Sequence, residues 1–217
     1  MGNIDSISDT LAIDTYAPDG PVIESYTRDG DGIRAISTEQ SDDSLAVHQI
    51  HADKSITEVQ ADTLDNDFLN ETNFYFNSDV PDGSDLIVTA TDAAGNFSGT
   101  YLALDDESAN TQLGLTNPNL ANFNIETVDL QFAEEAQLTI TEAALVNLSS
   151  NTNTLVVNGH NDDTVTITGA TRTGSEVKDG QTYDIYSLGT EGTLMIDDDT
   201  FGDVQPAGVT QLLEGYP

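Results

Sequence analysis

Asp85-Leu86-Ile87-Val88-Thr89-Ala90-Thr91, followed at once by Asp92-Ala93-Ala94-Gly95-Asn96, decides the fold class. In an extended chain successive side chains point to opposite faces, so Leu86, Val88 and Ala90 share one face. Val, Ile and Thr suit a pleated, half-buried surface. The five residues that follow are turn formers, so the run closes as one arm of a hairpin. Working outward, turn residues recur at about eight to twelve positions. The segments between them read as strands near Pro21–Thr27, Gly32–Ser37, Ser44–His51, Ser55–Ala61, Asn73–Asn77, Asp85–Thr91 and Ser98–Leu104. Seven short strands in roughly ninety residues is the pattern of an immunoglobulin-like β-sandwich.

A short internal repeat sets the limits of that unit. Gly2-Asn3 precedes Leu11-Ala12-Ile13-Asp14, and Gly95-Asn96 precedes Leu102-Ala103-Leu104-Asp105. The two Asp residues lie 91 positions apart, one sandwich's length. Residues 1–13 therefore read as the last strand or linker of a preceding repeat, and 14–107 as the sandwich. After Glu107 the composition shifts to Asn, Thr, Gly and Leu, which places a boundary within 108–124. Strands resume at Ile125–Phe132, Gln137–Ile140, Thr154–Asn158, Thr164–Thr168, Thr182–Leu188 and Gly192–Ile196, giving a second β-rich domain over 108–200. Within it, Thr141–Leu148 reads as one short helix, capped by Thr141, with Leu145 and Leu148 toward the core. Residues 201–217 show no clear pattern and are read as a tail or the start of a following segment.

Composition narrows the chemistry. The 217 residues carry a net charge of −34, from 39 acids against five Lys and Arg, and 27 of the acids are Asp. Nucleic acid and anionic membrane surfaces are excluded as partners, because both need Lys and Arg to meet phosphate. Cations are invited instead, and the short Asp carboxylate suits loop coordination of Ca2+. Solubility in salty surroundings is the alternative reading of the same charge. Cys is absent, so disulfides and thiolate metal sites are excluded, and metal ions are the usual remaining staple. No apolar run approaches the roughly 20 residues of a membrane span. Met1-Gly2-Asn3 leads straight into polar sequence, as in a fragment of a longer protein or one exported by a C-terminal signal.

Asp14-Thr15-Tyr16-Ala17-Pro18, with Thr91-Asp92-Ala93-Ala94-Gly95-Asn96, is similar to the bacterial immunoglobulin-like repeats of large RTX adhesins, which Gram-negative bacteria secrete by the type I route. The second half resembles another module of those proteins, with an Ile-x-x-(Ile/Val)-Asp-Leu start and a Thr-Asn-Thr-Leu-x-Val middle. The matching residues are Ile125-Glu126-Thr127-Val128-Asp129-Leu130 and Asn151-Thr152-Asn153-Thr154-Leu155-Val156-Val157. The pattern continues through Asp163-Thr164-Val165 and Gly180–Tyr186 to Gly192–Asp197. The resemblance implies calcium-dependent, rod-like extension, or support of ligand-binding modules. The Gly-Gly-x-Gly-x-Asp nonapeptide is absent, so β-roll calcium sites do not carry over.

Calcium has no linear motif here, since Asp29-Gly30-Asp31-Gly32-Ile33 lacks the remaining EF-hand ligands. Any site must be assembled from loops. Ser41–Asp43, Asp62–Asp67 and Asp92–Asn96 are expected at the end of the sandwich where the chain arrives, near Asp14 and Asp19. The loop of Asp79, Asp82 and Asp85 is expected at the other end, near Asp105, Asp106 and Glu107. Candidate ligands are thus Asp14, Asp19, Asp79, Asp82, Asp85, Asp92, Asn96, Asp105, Asp106 and Glu107, with Asp197 and Asp199 of the Asp197-Asp198-Asp199 run. For each of these a turn-forming role is the alternative. His48 and His51 would point to opposite faces of a strand, and His160 sits in a turn, which argues against a shared imidazole site.

No nucleophile elbow or His-paired nucleophile appears, and no enzyme is expected. The expected function is a calcium-stabilised structural segment of a secreted, cell-surface adhesin, positioning ligand-binding modules for cell adhesion and biofilm formation. Its partners would be neighbouring domains of the same polypeptide. Two alternatives stand beside it: a module binding a host or microbial surface glycan or peptide, and an accessory region of a secreted polysaccharide-degrading enzyme. Tyr183 and Tyr186 are the candidate stacking pair for a glycan, but alternation puts them on opposite faces.

Overall fold

The computed structural model describes residues 14–30, 32–81, 83–104 and 112–205. Its first half is β1 (Ile23–Arg28), β2 (Gly32–Glu39), β3 (Ser44–Ile50), β4 (Ile56–Glu58), β5 (Ala61–Asn66), β6 (Glu71–Pro81), β7 (Leu86–Thr91) and β8 (Phe97–Leu102). One sheet runs β1-β2-β6-β5, and β4, β3, β7 and β8 are consecutive in a second. In chain order these are the ABED and C′CFG arrangements of an immunoglobulin-like sandwich. Ile23, Ile33, Ile36, Phe74 and Phe76 of the first sheet pack against Val47, Leu86, Val88 and Leu102 of the second. The β7–β8 hairpin closes through Asp92, whose Oδ1 accepts from the Ala94 and Asn96 amides at 2.8 and 2.9 Å.

Two differences from the sequence reading concern one region. The stretch expected as a single strand at Ser55–Ala61 is divided between β4 and β5, and the expected loop at Asp62–Asp67 is largely β5 itself. Asp and Asn disfavour strands in isolation, but Ala61–Asn66 is held in register along β6. It lies at the sheet edge, where exposed carboxylates discourage pairing with a second chain.

The second half is β9 (Gln112–Leu113), β10 (Ile125–Asp129), β11 (Gln137–Ile140), β12 (Thr154–Asn158), β13 (Thr164–Thr168), β14 (Ala170–Lys178), β15 (Gln181–Leu188), β16 (Gly192–Asp197) and β17 (Phe201–Gln205). The chain alternates between two sheets, so β10, β12 and β16 pair in parallel in one, and β9, β11, β13 and β17 in the other. Tyr101, Val128, Val157 and Ile196 stack as one inward row, and Leu113, Leu138 and Val165 as the facing row. The expected helix is α1 (Glu142–Leu148): the Thr141 hydroxyl accepts from the Ala144 amide, and Leu145 and Leu148 are fully buried. Four elements have no counterpart in the sequence reading: β9 and a 3-10 helix at Pro118–Phe123, both in the stretch read as a boundary, and β14 and β17. β14 forms an antiparallel hairpin with β15, and β17, in the stretch expected as a tail, pairs along β13.

The halves share a sheet. Beyond the boundary region, β10 pairs in parallel with β8, making one nine-stranded sheet, β14-β15-β16-β12-β10-β8-β7-β3-β4. The Gly99 amide donates to Asn124 O at 3.0 Å and the Ala103 amide to Asp129 O at 2.9 Å. A side chain at Gly99 would bring Cβ within 2.9 Å of Phe123 O, so glycine permits this approach. β7 is buried on both faces for the same reason: Leu86 and Val88 face the sandwich core, whereas Ile87 joins the second core with Leu120, Ile125 and Val128.

Candidate functional site

Because Leu102 pairs with Asp129, the sheet face that closes the sandwich core continues into the second half, past the edge of the covering sheet. Its next rungs are polar: Thr100 beside Thr127, then Asp129 beside Asn158. Val157 pairs with Ile196, which carries the row on to Asp197. This surface is the floor of a cleft of about 610 Å³. Pro18–Ile23 and Glu39–Ser41 form one wall, and Lys178, Asp179, Gln181 and Tyr183 form the other.

Each wall has a local cause. Residues 14–22 run extended along β8, where the Ser98 hydroxyl donates to Pro18 O at 2.6 Å and the Thr100 hydroxyl to Pro21 O at 2.7 Å. Gly20 presses onto the floor, since a Cβ there would lie 3.0 Å from Thr100 Oγ1 and 3.1 Å from Thr127 Oγ1. Opposite, Asp179 (φ 52°) and Gly180 (φ 89°) make the two-residue turn with both φ positive that suits a tight hairpin. The Tyr183 hydroxyl donates to Asn158 Oδ1 at 2.9 Å, which seats the hairpin on the floor. Tyr186 lies on the opposite face, in the second core, as the alternation implied.

Several carboxylates in and beside the floor are withdrawn from water. Asp129 is 2 % exposed, and its carboxylate accepts from the Gln131 amide at 3.0 Å. Burial pushes its pKa up to about 7, against the opposing Gln131 bond, and the Asp163 carboxylate adds to the rise. Burial also raises Asp163, although it accepts from the Ala136 and His160 amides at 2.9 and 2.7 Å. Asp197 is 3 % exposed, and its Oδ1 accepts from Gln181 Nε2 at 2.6 Å and the Asp199 amide at 3.0 Å. Burial raises Glu126 as well, Asp19 adding to the rise and Lys178 opposing it.

Of the candidate ligands expected from sequence, Asp197 and Asp199 come together. With Asp198 they are the single group of three acidic or imidazole side chains, among the described residues, whose ligand atoms lie within 4.8 Å of one another. Calcium takes about six to eight oxygens, of which this cluster could offer one from each of its three side chains. Asp14 and Asn96 also meet, but through the Asp14 carbonyl, which accepts from Asn96 Nδ2 at 3.3 Å. Both Asp92 oxygens accept donors of its own turn. Asp19 lies on the cleft wall with its Oδ1 3.9 Å from Lys178 Nζ, Asp79 is exposed near the end of β6, and Asp85 accepts from the buried Tyr101 hydroxyl. Asp82, Asp105, Asp106 and Glu107 lie outside the described residues. His48 Nε2 is 3.3 Å from Thr89 Oγ1, and His51 Nε2 is 2.7 Å from Thr57 Oγ1.

No family model matches this sequence, and no curated protein or solved structure matches it either.

The cleft residues Asp129, Asn158, Lys178 and Gln181 are not among the candidates that sequence reasoning singles out. A signal was present. Val128-Asp129, Val157-Asn158 and Ile196-Asp197 each end a strand with an inward β-branched residue followed by a polar one, and the pairing register aligns them.

Proposed function

We propose that this chain is a non-catalytic structural segment of a large secreted bacterial surface adhesin, stiffened by calcium, which holds neighbouring modules of the same polypeptide at a fixed spacing. The observation that carries the reading is the seam between β8 and β10. Main-chain hydrogen bonds join the two halves there, and Ile87, Tyr101 and Ala103 of the first half are buried in the core of the second. A flexible linker would let two domains swing; a shared sheet and core resist bending, as a spacer requires. The motif resemblance at residues 14–18, 91–96 and 125–130 supports an adhesin of the RTX kind as the parent protein, and cell adhesion and biofilm formation as its setting.

Calcium enters at Asp197, Asp198 and Asp199, whose clustered carboxylates repel one another without a counterion. An ion there would tighten the turn between β16 and β17 and screen part of the −34 charge. Pulling a tandem array of copies in an atomic force microscope tests the spacer role. In millimolar calcium each copy should open in a single event that releases both halves together. Two separate events per copy, at clearly different forces, would contradict it.

A further inference from the structure

The cleft beside the seam has the size, charge and chemistry of a binding site that a spacer does not need. Its volume of about 610 Å³ falls within the roughly 300–1,000 Å³ of organic-ligand sites, and one bare metal ion would leave most of it to water. Six carboxylates line it, Asp19, Glu39, Asp43, Asp129, Asp179 and Asp197, against the single ammonium of Lys178. That balance rejects anions. Asp197 is nearly withdrawn from water, where a charge interaction is stronger than at an open surface, and Asp129, equally buried, joins it as an anion above about pH 7. Between them the floor offers oxygen acceptors, on Thr127, Gln131 and Asn158, to a guest's N–H groups.

The chain already places one cation of its own at this site. Lys178 reaches from the hairpin tip to within 3.9 Å of Asp19 on the opposite wall. We propose that the cleft binds an organic cation carrying primary ammonium or guanidinium groups, and that Lys178 competes with it as a latch across the mouth. A basic peptide segment and a polyamine share this chemistry. The site shares Asp197 with the proposed calcium cluster but needs neither the ion nor the spacer role, so either reading can fail without the other.

The test is an amide chemical-shift titration of the whole chain at about 0.15 M salt, where long-range attraction is screened beyond roughly 8 Å. The probes are tetralysine, spermidine, maltotetraose and Ca2+. Tetralysine or spermidine should saturate shifts at Thr127, Asn158 and Gln181, and the tighter of the two identifies the source. Lys178→Ala should tighten binding severalfold, whereas Arg172→Ala, which removes the same charge from the outer surface, should leave it unchanged. Asp19→Asn with Asp179→Asn should weaken binding about tenfold; both side chains are exposed, so folding is not at risk. Shifts spread over the whole acidic surface, equal effects of Lys178→Ala and Arg172→Ala, or cleft shifts produced by maltotetraose or Ca2+ and by neither amine would each overturn the proposal.

Discussion

Replacing Asp129 by Asn should stabilise the protein at neutral and alkaline pH and leave it nearly unchanged in acid. Burial raises this carboxyl from 3.8 to about 7 in the folded chain, whereas in the unfolded chain it returns to its ordinary value. Between those two values the folded state binds the extra proton. The stability this group contributes is therefore fully present below about pH 3.8 and is lost as pH rises through about 7. Every tenfold gain in proton affinity on folding corresponds to about 1.4 kcal/mol, so keeping Asp129 ionised at pH 8 costs roughly 4 kcal/mol. Asn is neutral throughout, is close in size, and its Oδ1 can still accept from the Gln131 amide. Urea denaturation of parent and variant from pH 4 to 8 should show a difference near zero at pH 4 that grows to about 2–4 kcal/mol in favour of the variant at pH 8. A difference that is flat with pH, or that favours the parent at pH 8, would refute the burial argument.

Three further outcomes are expected from the same packing. A calcium titration followed by thermal melting should raise the midpoint of the parent, by about 2.7 kcal/mol of stability at a hundredfold excess over Kd, and little in the double variant Asp197→Asn with Asp199→Asn. Gly189→Ala should cost about 1–3 kcal/mol in urea denaturation, because Gly189 has φ +68° and a Cβ there would collide with the Glu142 carboxylate. That carboxylate accepts from the Thr190 and Glu191 amides at 2.6 and 3.2 Å, which lowers its pKa, so it holds this turn in place. Ile87→Ala should cost about 2–5 kcal/mol, and tyrosine fluorescence should report the loss in both halves together, since Ile87 lies on a sandwich strand yet packs in the second core.

Much of the fold was legible because strand alternation and turn chemistry act locally. The β7–β8 hairpin, the Thr141-capped helix and strands β11, β12 and β13 lie where periodicity and turn residues put them. What escaped reading was fixed by partners distant in sequence. β14 carries Thr, Arg, Ser and Glu and is exposed on both faces, so no apolar row marks it; the Asp179-Gly180 turn was its one local sign. β5 is an acidic edge strand held by β6. The parallel pairing of β10, β12 and β16, and of β9, β11, β13 and β17, was missed because alternation reveals that a segment is extended but not which neighbour it pairs with. For the same reason the cleft was invisible: Asp129 and Asn158 lie 29 residues apart, and only the pairing of β10 with β12 sets them side by side. The closeness of Asp197, Asp198 and Asp199 could be read from sequence because their neighbourhood is the chain itself.

Native-state hydrogen exchange at the seam tests most directly whether the two halves form one stiff unit. The Gly99 and Ala103 amides donate across it to Asn124 and Asp129, while the Val88 and Val157 amides sit in strands inside the separate cores. If the shared sheet holds the halves together, Gly99 and Ala103 should open only with the cores, with protection within about tenfold of Val88 and Val157. Exchange at Gly99 and Ala103 about a thousandfold or more faster than at both core positions would show that the seam opens while each half stays folded, and that the chain is a pair of hinged domains.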